Sequence, residues 1–382
     1  MRLCCKLAVL CLPLLLLATP VHPPAAPCPS TVERVTQITK SAGTSQTARG
    51  NERCIGVDPT GRAHMVWEDY RDGNFQIYYA SIIGDSVSPE VRLTRLAENS
   101  NFPCVACYGQ NVYILWQETI IKTPETCQIC YVRIAGGKEE ARSQITTAAL
   151  GANCPASAVG PDGALHVAWH QGVGNLTTIH YGKIVGDSVV ARAGIATQHP
   201  GASRPDIACD SAGRILIVWF EGTQIKSRLW NGTAWQPELV VADNKSKAWR
   251  MSLCNLSENS WALAWFDQAS KTTDVWASFF DGTAWHDETR VNTGQTGFYP
   301  ATAHIGEGTL IVTWEDQDKA KGEYMLMMRC FDGGGWGQPS EITRGRAMSR
   351  YASLAPAGDS LHLIWFGSAS GNNQIFHGLL RR

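Results

Sequence analysis

The chain lacks an excess of charge of either sign. Over 382 residues, 33 Lys and Arg stand against 34 Asp and Glu, charged side chains make up only 18%, and no run of five basic residues occurs. A surface that displaces counterions from nucleic acid needs a basic excess, so this balance argues against a nucleic-acid binder. The 44% of hydrophobic residues supplies ample core and argues against disorder. No phosphate loop, GxGxxG after a strand, HExxH, GxSxG or EF-hand loop is present. Nothing therefore calls for a nucleotide, a cofactor or a catalytic metal. Long apolar runs are scarce too. One, Leu7 to Ala18, follows Arg2 and Lys6, is interrupted by Pro13, and is too short to span a bilayer. With the Pro/Ala-rich stretch behind it, it reads as a secretory signal peptide over residues 1–29. The mature chain is expected outside the cytoplasm, secreted, periplasmic or at the cell surface, with no transmembrane segment. A lipidated Cys28 fits poorly behind Pro27.

Glycine and tryptophan, by contrast, are plentiful, at 36 and 14 residues. Seven of the tryptophans, Trp67, Trp116, Trp169, Trp219, Trp265, Trp314 and Trp365, each close an apolar run such as AHMVW, ALHVAW or RILIVW, at intervals of 46 to 53 residues. Aliphatic and β-branched at nearly every place, these runs predict strands buried on both faces. Turn signals such as DPTGR, GPDGA and DSAGR precede most of them and predict a hairpin with a shorter strand upstream. A third strand follows, as in QIYYASI and TIHYGKI, and a Gly/Asp turn leads to a fourth, such as EVRLT or SEITR. Four antiparallel strands in about 50 residues, repeated without helical periodicity, predict an all-β fold: a seven-bladed β-propeller of four-stranded blades. Blades are expected near 52–97, 101–148, 151–197, 203–242, 248–293, 298–344 and 349–382 plus 30–45, in one domain over 30–382. The seventh unit lacks its fourth strand, and VTQITK (Val35 to Lys40) resembles the missing piece. That N-terminal strand is expected to pair with Gln374 to Leu380 and close the ring.

In such a ring the first strand of each blade lines the channel. One face then gathers the residues just after each tryptophan, among them Glu68, Asp69, Gln117, Glu221, Asp267, Glu315 and Asp316. It also gathers those just before each first strand, among them Asn51, Arg53, Arg204, Arg250, Tyr299, Arg350 and Tyr351. Polar groups converging on a channel mouth are what a small-molecule pocket needs. Three guanidinium groups there, from Arg204, Arg250 and Arg350, favour an anionic ligand, with Glu315 and Asp316 beside them.

The first unit, VDPTGRAHMVWEDYRDGNFQIYYASIIGDSVSPEVRLT, resembles the repeats of secreted propellers of the sialidase-like (BNR, or Asp-box) superfamily, and the other units share its scheme. The segments SFFDGTAW, RCFDGGGW and RLWNGTAW resemble degenerate Asp-boxes, whose aspartates are expected to stabilise turns on the face opposite the site. The resemblance implies a sialidase-type set. Arg204, Arg250 and Arg350 would grip a carboxylate, Tyr351 or Tyr299 would be the nucleophile, Glu221 or Glu315 its base, and Asp69 the acid. The family's Phe/Tyr-Arg-Ile-Pro motif is absent, and its active enzymes have six blades where seven units are counted here. The leading expectation is therefore a secreted propeller that binds a glycan or an extracellular protein surface without turnover. An exo-acting glycoside hydrolase and a structural scaffold are the alternatives.

Ten of the 13 cysteines fall from Cys28 onward, and in a secreted chain they predict disulfides. Cys104, Cys107, Cys127 and Cys130 have the spacing of a zinc ribbon, but repeat alignment puts the pairs on strands about 9.5 Å apart, too far to share an ion, which leaves buried thiols or local disulfides. Cys107, Cys209 and Cys254 align with Val57 and Val159 as small packing residues. Sequons stand at Asn175, Asn231, Asn244 and Asn255, and His64, His166 and His362 read as satisfied core or channel-lining groups.

Overall fold

The computed structural model describes residues 32–381 except 48, 51–52, 123–124, 148–150, 174–175, 197–200, 244–249, 269–271, 295, 307, 319, 344–347 and 369–370. The proposed signal segment, Cys28, Asn51 and the sequons at Asn175 and Asn244 lie outside the described residues. Seven antiparallel sheets form a β-propeller. Blade two is representative, with Ser100–Tyr108 innermost, then Asn111–Lys122, Glu125–Ala135 and Lys138–Gln144 outward. The inner strands contact one another in a closed cycle around the channel. Among the described residues no helix is long and apolar enough to cross a membrane.

The second strands carry the core because their apolar runs face neighbouring blades on both sides. All seven anchoring tryptophans are at most 2% exposed. His64 and His166 meet the hydroxyls of Tyr79 and Tyr181 at 2.8 and 2.6 Å, and His362 meets His377 at 2.9 Å. The turns follow from short polar side chains. Asp58 accepts the N–H groups of Thr60 and Arg62, and Asp210 those of Ala212 and Arg214. In the turns between third and fourth strands, Asp281 accepts from Thr283 and Ala284, Asn231 from Thr233 and Ala234, and Asp332 from Gly334 and Gly335.

The last blade is completed from the other end of the chain. Arg34–Gln37 pairs with Gln374–Arg381, Val35 lying opposite Gly378. The pairing ends short of Lys40 because Ile38 and Thr39 both turn their N–H toward the Ile375 carbonyl. A repeated side-chain clasp shows that this strand is a true fourth strand. The hydroxyls of Thr94, Thr146 and Thr343 each accept a third-strand N–H at 2.9 Å, from Ile77, Ile129 and Leu326. Thr39 does the same for Ile375, also at 2.9 Å.

The expectation of disulfides is corrected in part: Cys54, Cys104, Cys107, Cys127, Cys130, Cys154, Cys209 and Cys254 are in no disulfide, while Cys330 is disulfide-bonded. Burial pushes the Cys107, Cys130 and Cys209 thiols up to about 12, which makes them inert packing groups. Cys104 approaches Ser157 of the next blade, whereas Cys127 meets Gln117 within its own. Cys254 does not share the Cys107 column: it pairs with Ala262, and Asn255 takes that place opposite Trp261.

Candidate functional site

On the upper face, where the inner strands begin, the two residues after each tryptophan point to opposite sides of the strand. In blades one to four the second turns back under the indole. Asp69, Glu118, Gln171 and Glu221 accept the Nε1–H of Trp67, Trp116, Trp169 and Trp219 at 3.0 to 3.2 Å. Asp69 also takes Arg71 as a fork and the Ser45 hydroxyl, and Glu221 pairs with Lys226. Asp316 accepts from Thr296 and from the Gln317 N–H. The contacts of Asp69 and Glu221 thus lie within blades one and four.

The first residue after the tryptophan reaches instead to the next blade. Five inner strands carry a bulge at a residue with φ between 48° and 53°: Phe102, Cys154, Arg204, Tyr299 and Tyr351. In the first four a proline follows. A bulge leaves one N–H without a ladder partner, and in four of the five a side chain of the preceding blade supplies the acceptor. Glu68 accepts the N–H of Phe102 at 2.7 Å, Gln117 that of Cys154 at 3.1 Å, His170 that of Arg204 at 3.4 Å and Glu315 that of Tyr351 at 2.6 Å.

This bulge separates the three arginines. Arg204 is a bulge residue, with its backbone against His170. Arg250, in a blade with no bulge there, faces Phe266, as Arg350, just before the bulge of blade seven, faces Phe366. Arg250 is buried and reaches from blade five to the Ala352 carbonyl of blade seven at 3.1 Å. Arg350 gives its Nε–H to Glu315 at 2.9 Å and lies 4.2, 4.9 and 5.8 Å from the rings of Tyr324, Tyr351 and Tyr299. The fold therefore brings Arg250, Arg350, Glu315, Tyr299 and Tyr351 together at the junction of blades five to seven. An arc of aromatic contacts runs through Phe266, Tyr299, Tyr351 and Phe366, with ring centres 4.5 to 5.2 Å apart. Phe298 and Tyr324, on this arc and its flank, are half-buried and were not among the candidates from sequence.

Electrostatics distinguish the acids here. Glu315 is fully buried, and that burial raises its carboxyl to about 7 against the opposing pull of Arg350, the Tyr351 N–H and Arg250. Burial, with a hydrogen bond that the Tyr351 hydroxyl gives to Tyr299, also pushes that hydroxyl well above the ordinary tyrosine range. Glu315 meets the Tyr351 backbone and not its hydroxyl. Deeper in the channel, Arg53 crosses from blade one to the Ile207 carbonyl at 3.3 Å and to the Leu253 carbonyl, with Asp206 3.7 Å away. Beneath it a well of about 450 Å³ is walled by inner-strand residues including Ala106, Ala158, Ala208 and Ala355.

No protein-family model matches the chain, and no curated protein does. Among solved structures, a polysaccharide lyase, an ulvan lyase of family PL25, aligns with a TM-score of 0.64 at 9% identity, over 91% of this chain and 96% of its own. An oligogalacturonate lyase from Vibrio parahaemolyticus aligns at 0.55 and 9% identity, over 90% and 93%. A microbial sialidase aligns at 0.49 and 12% identity, over 80% and 73%. At these identities the likeness to the two lyases shows the propeller fold alone.

Proposed function

We propose that this propeller acts outside the cytoplasm and binds an acidic carbohydrate at the upper mouth, between blades six and seven, without turning it over. The observation that carries this reading is Arg350. Its Nε–H is spent on Glu315 and its faces lie near three tyrosines, while its Nη edge makes no hydrogen bond to any described residue. A planar fork held that way suits a carboxylate or sulfate, and half-buried Phe298, Tyr299 and Tyr324 offer faces for sugar rings. The likeness to an ulvan lyase captured with -[GlcA(1-4)Rha3S]- and to an oligogalacturonate lyase supports the choice of acidic sugars. Binding is favoured over hydrolysis because both Glu315 oxygens are occupied and the Tyr351 hydroxyl is held against ionisation.

A glycan array carrying uronate, sialate, sulfated and neutral glycans tests the proposal. Acidic glycans are expected to bind, and Arg350→Lys, which keeps the charge and loses the fork, to weaken them about tenfold or more. Equal binding of acidic and neutral glycans, or none at all with capture of a protein partner instead, would overturn it. Release of a fluorogenic sialoside product or of an unsaturated uronate would overturn the absence of turnover.

A further inference from the structure

Resting on that reading, we infer that the anion site is proton-coupled: a ligand that settles on Arg350 does so with uptake of one proton by Glu315. The carboxylate spans two blades, with Oε1 accepting the Tyr351 N–H and Oε2 the Arg350 Nε–H. The groups facing it are Arg350 and Tyr351 of blade seven and Arg250 of blade five, and Tyr299 and Tyr324 of blade six lie against Arg350. Asp316, next along the strand, turns the other way to Thr296. Among the described residues no second acid pairs with Arg350, so Glu315 is the group that compensates it.

The repeats show that its charge is not needed to hold the bulge. Gln117 makes the same bond to the Cys154 N–H with a neutral amide oxygen. Glu315 therefore does something Gln117 does not, which is to occupy a guanidinium at the mouth. Protonation changes that occupation. The carbonyl oxygen of the neutral acid still accepts from Tyr351, but Oε2–H presents a donor to the Nε–H donor of Arg350, and the pair separates. The proton comes from solvent, no covalent bond changes, and Arg350 turns its full fork to the incoming anion. An anion arriving first has the same effect in reverse, because a second negative charge in this buried place favours the neutral acid. The resting carboxyl, near 7, lies where one pH unit shifts its occupancy appreciably.

The test uses the whole chain and a sulfated uronate oligosaccharide, whose own charge is constant between pH 5.5 and 8.5. Affinity is expected to rise toward a limit of tenfold per pH unit as pH falls across the neutral range, and to level off at the acidic end. Calorimetry in buffers of different ionisation heat should show up to one proton taken up per ligand. Glu315→Gln should bind at pH 8 as tightly as the native chain does at pH 6, with no slope and no proton uptake. Binding that is tight but flat with pH in the native chain, or a slope that survives Glu315→Gln, overturns the coupling and leaves the carbohydrate reading standing. Absence of binding at every pH overturns both. Should the variant fail to fold, the proton count on the native chain decides alone.

Discussion

Asp69 and Glu315 are both fully buried carboxylates within two residues of an anchoring tryptophan, yet they are displaced in opposite directions. Burial is the largest influence on each and raises both. For Asp69 the Arg71 fork, the Ser45 hydroxyl and the Arg71 N–H outweigh it and hold the carboxyl below its usual range. For Glu315 one Nε–H and one backbone N–H do not suffice. The consequences for stability have opposite signs. A depressed acid stabilises the fold above its ordinary value near 4, and that contribution is lost as pH falls through the lower folded value. A raised acid stabilises the fold below its ordinary value relative to above, so Glu315 should make stability fall as pH rises from about 4.5 to about 7, by on the order of 3 kcal/mol. Chemical denaturation of native and Glu315→Gln chains across pH 4 to 8 should show that decline in the native chain alone. Parallel curves would mean that Glu315 is charged throughout. Sequence placed both acids on one face but could not rank them, because rank depends on which side of the strand each takes and on partners such as Ser45 and Tyr351 from distant positions.

The bulged inner strand is the element that organises the mouth. Phe-Pro-Cys, Cys-Pro-Ala, Arg-Pro-Asp and Tyr-Pro-Ala recur at equivalent places, and proline cannot donate to the ladder there. A left-handed residue immediately before each proline adds one position to the strand and reverses the side that every upstream residue faces. Position before the first strands puts Arg204, Arg250 and Arg350 in one clamp; the bulge takes Arg204 out of the column, while Arg250 and Arg350 keep it and Arg350 meets the three tyrosines. The blades, the tryptophan ring and the turn aspartates were legible because they follow period-two patterning and short-range turn chemistry. The bulge was not, since its stabilising bond comes from another blade. Gln117→Leu should therefore lower stability by about 1–3 kcal/mol, by leaving the buried Cys154 N–H without its acceptor. It should leave glycan binding at Arg350 unchanged, because blades two and three lie across the ring from it. Urea denaturation and the array together check this, and an unaltered midpoint would show that the bulge needs no cross-blade acceptor.

Across the whole molecule, the ring depends on one non-local strand. The blades are local hairpins, but blade seven cannot cover its third strand until residues 34 to 39 arrive from over 330 positions away. The sequence signal for this was the repeated ending of the fourth strands, LT, IT and IT, matched by ITK before the first blade. Its physical content is the threonine clasp on the third-strand N–H. Thr39 is fully buried, its hydroxyl accepts from Ile375, and it bonds Gln374 at 2.9 Å. Thr39→Val keeps the shape and removes the acceptor, so it should cost about 1–3 kcal/mol, comparable with Thr146→Val in the continuous second blade. Removing residues 32–40 does more, because it uncovers the whole edge of Gln374–Arg381 as a template for another chain. That truncated protein should melt well below the native one and associate on concentration, as read by differential scanning calorimetry and light scattering. A truncated chain that stays monomeric with an unchanged melting temperature would show that the ring closes by packing between blades one and seven, without the strand.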